Sequence, residues 1–201
     1  MPQSNQQQPR TWTRQVGDTT YMCSTDQQQI QLDALNAAFE SDMIWWAKGL
    51  TTDALRRSVE NSFCFGLYVR TAAGGDGERE WISDMRDTSS SYAMIGFARL
   101  VTDYVTVGYL TDVYVLQEHQ GKGLGTWLMG CVNETLSAWP DLRGIVIIVG
   151  EVENARLYQK TLNARIISEP LRAPSAAGEG ADSGYFVMET VGPAAVEHPA
   201  A

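Results

Sequence analysis

The run from Tyr109 to Leu128 constrains this chain more than any other. It reads strand, glycine loop, helix. Tyr109-Leu110-Thr111-Asp112-Val113-Tyr114-Val115 is rich in β-branched and aromatic residues, which favour an extended backbone. Gly121, Gly123 and Gly125 then remove every second side chain, so the backbone can turn sharply and a ligand can approach its amides. After the loop the period is helical. Leu124, Leu128, Cys131 or Val132, Leu136 and Trp139 fall on one face, and Pro140 ends the run. A glycine loop at a helix start presents free N–H groups and the positive end of the helix dipole, a natural seat for phosphate.

Spacing narrows the phosphate ligand. A dinucleotide fingerprint needs a third glycine where Thr126 stands, and it opens the first strand–helix–strand unit, whereas this loop lies past mid-chain. The Gly-Lys-Ser/Thr of a P-loop is absent. Gln120-x-x-Gly123-x-Gly125 remains. It resembles the coenzyme A loop, Gln/Arg-x-x-Gly-x-Gly/Ala, of the GCN5-related N-acetyltransferases, the GNAT superfamily.

The rest of the chain supplies context. At 201 residues it fits one domain, long enough for a sizeable core. A net charge of −9 opposes nucleic-acid binding and is compatible with a cationic substrate. Cys23, Cys64 and Cys131 are odd in number and widely spaced, so reduced thiols are expected, with no disulfide frame and no metal site. No apolar stretch is long enough for a membrane span or a signal-peptide core, so a cytoplasmic protein without membrane association is expected.

In order, the Gln-rich N-terminus (1–14) reads as a disordered tail. Thr19–Ser24 is a strand, Thr25 and Asp26 are candidate caps, and a helix is expected from about Gln29 to Phe39. Trp45 and Trp46 cannot share one face of a strand or helix, so one is free to point into a groove. With Lys48 they are the candidate acceptor-binding residues. Thr51 or Thr52 caps a second helix with Asp53 at its positive end and Leu55 and Val59 as its buried stripe. Phe63–Val69 is a strand. Ala72–Ser91 exceeds the usual loop length and reads as a mobile insertion or a short strand around Trp81-Ile82.

Met94–Val101 is a strand, and the tight Asp103-Tyr104 turn makes it antiparallel to the next. Gly144–Val149, an unbroken apolar run, reads as a central strand buried on both faces and parallel to its predecessor. Asn154–Thr161 is a short helix, Arg165–Ile167 and Tyr185–Glu189 are the last strands, and 192–201 is a flexible tail.

The expected fold is α/β: a mixed, mainly antiparallel central sheet of about seven strands with four helices, over a domain at 15–191. That β-α-α-β-β-β-α-β-α-β-β order is the order of the superfamily just named. The Trp46-Ala47-Lys48-Gly49 segment and Glu60–Tyr68 also look like a subset of small acetyltransferases of loosely known substrate.

The resemblance implies acetyl-CoA as co-substrate and no metal. Amides of Gly121, Lys122, Gly123, Leu124, Gly125 and Thr126, with Gln120, would hold pyrophosphate, and Val113, Tyr114 and Val115 would line the pantetheine arm. Leu157-Tyr158 resembles the family's second cofactor helix, whose tyrosine serves as general acid. Asn154 lies nearer that tyrosine than in many relatives. A phenol is mostly protonated at neutral pH and can donate. The family's Gly-Phe pair after this tyrosine is absent; Thr161-Leu162-Asn163-Ala164 stands there, and Asn163 can supply the left-handed turn.

Only a neutral amine attacks a thioester. At pH 7.4 about one lysine-like amine in a thousand is neutral, and removing the proton costs about 4 kcal/mol. A general base is therefore useful. Asp112 is the first candidate, with Asp103 and Glu60 behind it. The expected acceptor is a primary amine of a small molecule. The rivals are an N-terminal or lysine acetyltransferase, a non-catalytic acyl-CoA-binding module, and a nucleotide-binding regulator. The chain is also compatible with a homodimer.

Overall fold

The computed structural model describes residues 8–44, 46–71, 91–150, 152–168, 171–172 and 184–196. The chain forms two compact units. The first takes the chain through Arg99 plus Asp112–Leu124; the second takes Leu100–Thr111 and everything from Gly125. Two strands, β4 and β5, run through both.

The first unit holds β1 (Thr11–Val16), β2 (Thr19–Ser24), α1 (Leu32–Glu40), α2 (Thr52–Glu60) and β3 (Phe63–Arg70). It also holds the start of β4 (Tyr92–Thr102) and the end of β5 (Val107–Val115). The five strands neighbour one another in chain order. Two helices cover the sheet because their apolar residues repeat at helical spacing. Leu35, Ala38 and Phe39 of α1 join Leu55 and Val59 of α2 in one buried cluster. Ile30 and Ile44, with Cys64, Tyr68, Met94, Phe97 and Tyr114 from the strands, complete it. Thr51 caps α2 by accepting from the Ala54 amide, and Asp53 sits in its first turn, both as expected. Helix α1 starts later than the sequence suggests. Asp26 caps a separate 3-10 turn at Gln27–Gln29, accepting from the Gln28 amide.

Strand β1 corrects the expected tail at 1–14. Thr11–Val16 pairs antiparallel with β2 in full register, Thr11 opposite Ser24 through Val16 opposite Thr19. A two-residue Gly17-Asp18 loop joins them. Gly17 has φ +58, the positive value that tight hairpin turns require. Trp12 anchors the strand by packing near Phe65, ring centres 6.4 Å apart, and the Arg10 guanidinium lies 4.8 Å from the Trp12 ring centre. The expected insertion lies, but for Ser91, outside the described residues.

The second unit holds the end of β4, the start of β5 and nearly all of α3 (Leu124–Ser137). Then come β6 (Gly144–Val149), α4 (Val152–Leu162), β7 (Arg165–Ile166), β8 (Leu171–Arg172) and β9 (Gly184–Val191). β6 is parallel to β5, Val107–Leu110 against Gly144–Ile147, and antiparallel to β9. β7 and β8 pair antiparallel with β9. The fold is thus α/β with a mixed sheet. Nine strands and four α-helices lie among the described residues, the N-terminal β1 and short β8 raising the expected strand number.

The stripe Leu124, Leu128, Cys131, Val132, Leu136 and Trp139 is buried as its period predicts. β6 differs from expectation. Ile145, Ile147 and Val149 are buried, but Val146 is 39% and Ile148 50% exposed. One face is covered, not two. A run of β-branched residues looks the same in either case, because their strand preference does not depend on which face is wet. Residues 192–194 are also bonded to the chain before β6, where the sequence predicts a flexible tail. The Gly192 and Ala194 amides donate to the Arg143 and Leu142 carbonyls at 2.7 and 2.9 Å.

Candidate active site

The glycine loop follows β5 directly. Leu116 leads into a 3-10 turn at Gln117–His119, then Gln120, Gly121, Lys122 and Gly123 reach the start of α3. Gly121 has φ +74 and Gly123 φ +71. Both lie where an L side chain is strained, which is why glycine stands there. A Cβ added at Gly121 or Gly125 meets nothing within 4 Å. At Gly123 it meets only the guanidinium of Arg14, at 3.6 and 3.9 Å. Gly121 and Gly125 therefore leave open space above their own backbone, and Gly123 faces only the end of one long side chain.

Neighbouring donors are turned to main-chain carbonyls. Gln120 Nε2 donates to the Val115 carbonyl at 2.8 Å, Lys122 Nζ to Glu118 at 3.0 Å, and Arg14 Nη1 to Gly123 at 3.3 Å. The first-turn amides of a helix find no partner inside it. Here the three glycines bring no side chain to take them. Open space, first-turn amides and nearby cations are what a pyrophosphate needs, so these residues fit the phosphate end of coenzyme A.

His119 is half-buried, and its Nδ1 has no hydrogen-bond partner among the described residues. Burial first, then the nearby Lys122 charge, hold its pKa below the usual value, so it adds no charge to the loop at neutral pH. The Tyr21 ring stands edge-on to it, centres 6.3 Å apart.

Along β5, Tyr114 is buried, and burial pushes its phenol well above the ordinary range. Val113 and Val115 are half-buried. Asp112 is buried and has φ +51, a left-handed kink within a strand. Its Oδ2 accepts from Arg99 Nε at 2.6 Å. Arg99 Nη1 also donates to the Ser62 hydroxyl at 3.4 Å, and that hydroxyl donates to the Ser58 carbonyl at 2.8 Å. Asp103 lies in the β4–β5 turn and Glu60 at the end of α2.

On α4, Tyr158 is buried, and desolvation raises its phenol to about 12. Asn154, one turn earlier, is exposed. The helix ends as expected: Asn163 has φ +52, and the Ala164 amide donates back to the Tyr158 carbonyl at 3.2 Å. Of the acceptor candidates, Trp46 is 47% exposed and Lys48 is exposed, while Trp45 lies outside the described residues.

Two residues at these positions escaped the sequence reading. Arg14 reaches the loop from 109 residues away, and Arg99 meets Asp112 across 13. Neither sits in a motif. Among the described residues no group of three or more His, Cys, Asp or Glu could hold a metal, and no helix is long and apolar enough to cross a membrane.

Comparison with known proteins agrees with this geometry. Residues 67–163 match the model of the "Acetyltransferase (GNAT) family". A Gibberella zeae protein named "Putative acetyltransferase FG08082" is 41% identical over 157 residues, 78% of this chain and 84% of that protein. Among solved structures, Arabidopsis thaliana NAA60 in complex with a bisubstrate analogue matches with TM-score 0.58 at 14% identity, over 92% of this chain and 100% of that one. Vibrio cholerae spermidine N-acetyltransferase, in complex with CoA and spermine, matches with TM-score 0.55 at 16% identity, over 92% and 95%. The two structures share the fold. The chain belongs to the GNAT acetyltransferase family and is an N-acetyltransferase.

Proposed function

We propose that this enzyme moves an acetyl group from acetyl-CoA to the primary amine of a small molecule by direct attack. The observation that carries the cofactor half is the pair of left-handed glycines, Gly121 under open space and Gly123 facing only the Arg14 guanidinium. Main-chain groups of Val113 and Val115 hold the pantetheine arm, and amides of Gly121–Thr126 hold the pyrophosphate. Acetyl-CoA supplies an electrophilic thioester. As the new C–N bond forms and the C–S bond breaks, the amine nitrogen loses its proton to solvent water, the Tyr158 hydroxyl donates its proton toward the leaving sulfur, and solvent returns a proton to Tyr158. Burial keeps that phenol protonated throughout the neutral range. The acceptor half rests on charge. A net −9 chain attracts a cationic amine, and half-exposed Trp46 offers a flat surface to its carbon chain.

For Asp112 we favour support over proton transfer. Its carboxylate is already engaged by Arg99 inside the protein, Oδ2 accepting from Nε at 2.6 Å, a contact that fixes the position of the side chain. In this role the ion pair holds the kinked backbone that leads into Val113. Asp112→Asn should then keep the acidic limb of the pH–rate profile and raise KM for acetyl-CoA. Loss of that limb with KM unchanged would make Asp112 the base after all.

The reaction is tested by release of free thiol from acetyl-CoA with a panel of polyamines, aryl amines, lysine peptides and N-terminal peptides. Turnover with peptides alone would shift the acceptor to protein, and tight acetyl-CoA binding without turnover of any amine would favour the binding-module reading. With the amine in hand, Tyr158→Phe should lower kcat by roughly 10²–10⁴ at near-normal acetyl-CoA affinity. A wild-type rate would return Tyr158 to the core.

A further inference from the structure

The N-terminal hairpin ends against the glycine loop. Along β1, Trp12, Arg14 and Val16 share one face, because alternate residues of a strand do. Trp12 uses that face to pack near Phe65. Arg14 stands opposite Tyr21 in the β1–β2 register. Tyr21 in turn meets His119, in the turn that opens the loop. The cross-strand pair Arg14–Tyr21 thus faces the loop with both members. Arg14 is exposed, and its guanidinium fills the space above Gly123, the one loop glycine whose Cβ position is not empty.

We propose that Arg14 is a phosphate-binding residue that clamps the pyrophosphate of acetyl-CoA from the side opposite the loop amides. This rests on the cofactor reading given above. Its present partner, the Gly123 carbonyl at 3.3 Å, is a weak hold for a guanidinium. Pyrophosphate offers two charged oxygens to the planar fork, and such paired bonds are the strong ones. The other cation at the loop, Lys122, is turned to Glu118, and His119 is neutral. The hairpin therefore brings a planar cation to the site from outside the loop's own segment.

The test is calorimetry of the full chain with acetyl-CoA and with 3′-dephospho-acetyl-CoA. Arg14→Ala and Arg14→Gln should each weaken both ligands by about tenfold, the lower end for a charge-assisted bond at an exposed site. Arg14→Lys should recover part of the loss. The glutamine variant retains a donor for the Gly123 carbonyl, so wild-type affinity in it would reduce Arg14 to a loop support and overturn the proposal. Affinity in the alanine variant should also depend less steeply on salt than in the wild type. A loss seen with acetyl-CoA but not with the dephospho ligand would place Arg14 on the 3′-phosphate and overturn the pyrophosphate assignment. Wild-type chain that binds neither ligand would refute the cofactor reading itself, a result distinct from any difference among the Arg14 variants.

Discussion

The turn between β4 and β5 and the glycine loop after β5 face the same problem and solve it in opposite ways. Each must turn the chain and leave several backbone amides without strand or helix partners. The β4–β5 turn satisfies them itself. The Asp103 carboxylate accepts from the amides of Val105, Thr106 and Val107 at 3.0, 2.7 and 3.1 Å, and from the Thr106 hydroxyl. Those bonds, the hydroxyl's first, hold its pKa well below the usual carboxylate range. Between Gln120 and Gly125 the glycine loop carries no carboxylate. Its side-chain donors Gln120 and Lys122 point at carbonyls, and Gly121 and Gly125 leave open space where a side chain would stand. A protein can close an anion site with its own side chain or keep it for a ligand. The presence or absence of one carboxylate decides which.

The largest effect should come from making the loop resemble the turn. Gly123→Asp sets a carboxylate beside the amides and a side chain at φ +71. Aspartate tolerates the left-handed backbone better than most residues, so the main effect is that its charge repels phosphate. Acetyl-CoA affinity measured by calorimetry should fall by well over tenfold. Gly130→Asp, on an exposed and open position of α3, adds the same charge without occupying the loop. It should leave affinity near the wild-type value. Equal losses in the two variants would mean that charge alone is responsible, and the contrast between loop and turn would fail.

The two regions also differ in how much of them the sequence revealed. The loop was legible because what matters there is a local property, the lack of a side chain at alternate positions. Asn163 was legible for the same reason, since few residues tolerate the left-handed end of α4. The α3 stripe followed from helical period alone. Distant contacts left no local trace. Arg14 looked like part of a polar tail because its Gln-rich neighbours dominate the composition, yet the Gly17-Asp18 turn and the Trp12 anchor make a strand of it. The Arg99–Asp112 pair needs two strands brought together before either charge has a meaning. The exposed side of β6 depends on what covers each face, and six apolar residues in a row carry no information about that.

The smallest effect should come from the converse change, removing the carboxylate from the turn. Asp103→Ala leaves the amides of Val105, Thr106 and Val107 to water, which reaches them readily at an exposed turn. The unfolding temperature should drop slightly at neutral pH, and acetyl-CoA affinity should not move, because this turn holds no ligand. The pH dependence gives the sharper check. The folded-state pKa of Asp103 is depressed, so its contribution is present above the unfolded value of about 3.9 and is lost as pH falls through the folded one. The gap in unfolding temperature between wild type and Asp103→Ala should therefore stay constant from about pH 7 to pH 5 and begin to narrow from about pH 4 downward. A gap that instead widens with acid would mean that the variant acts through something other than the lost carboxylate. A fall in acetyl-CoA affinity at unchanged unfolding temperature would show that the turn takes part in binding, and the division between a turn closed by its own side chain and a loop left open for a ligand would not hold.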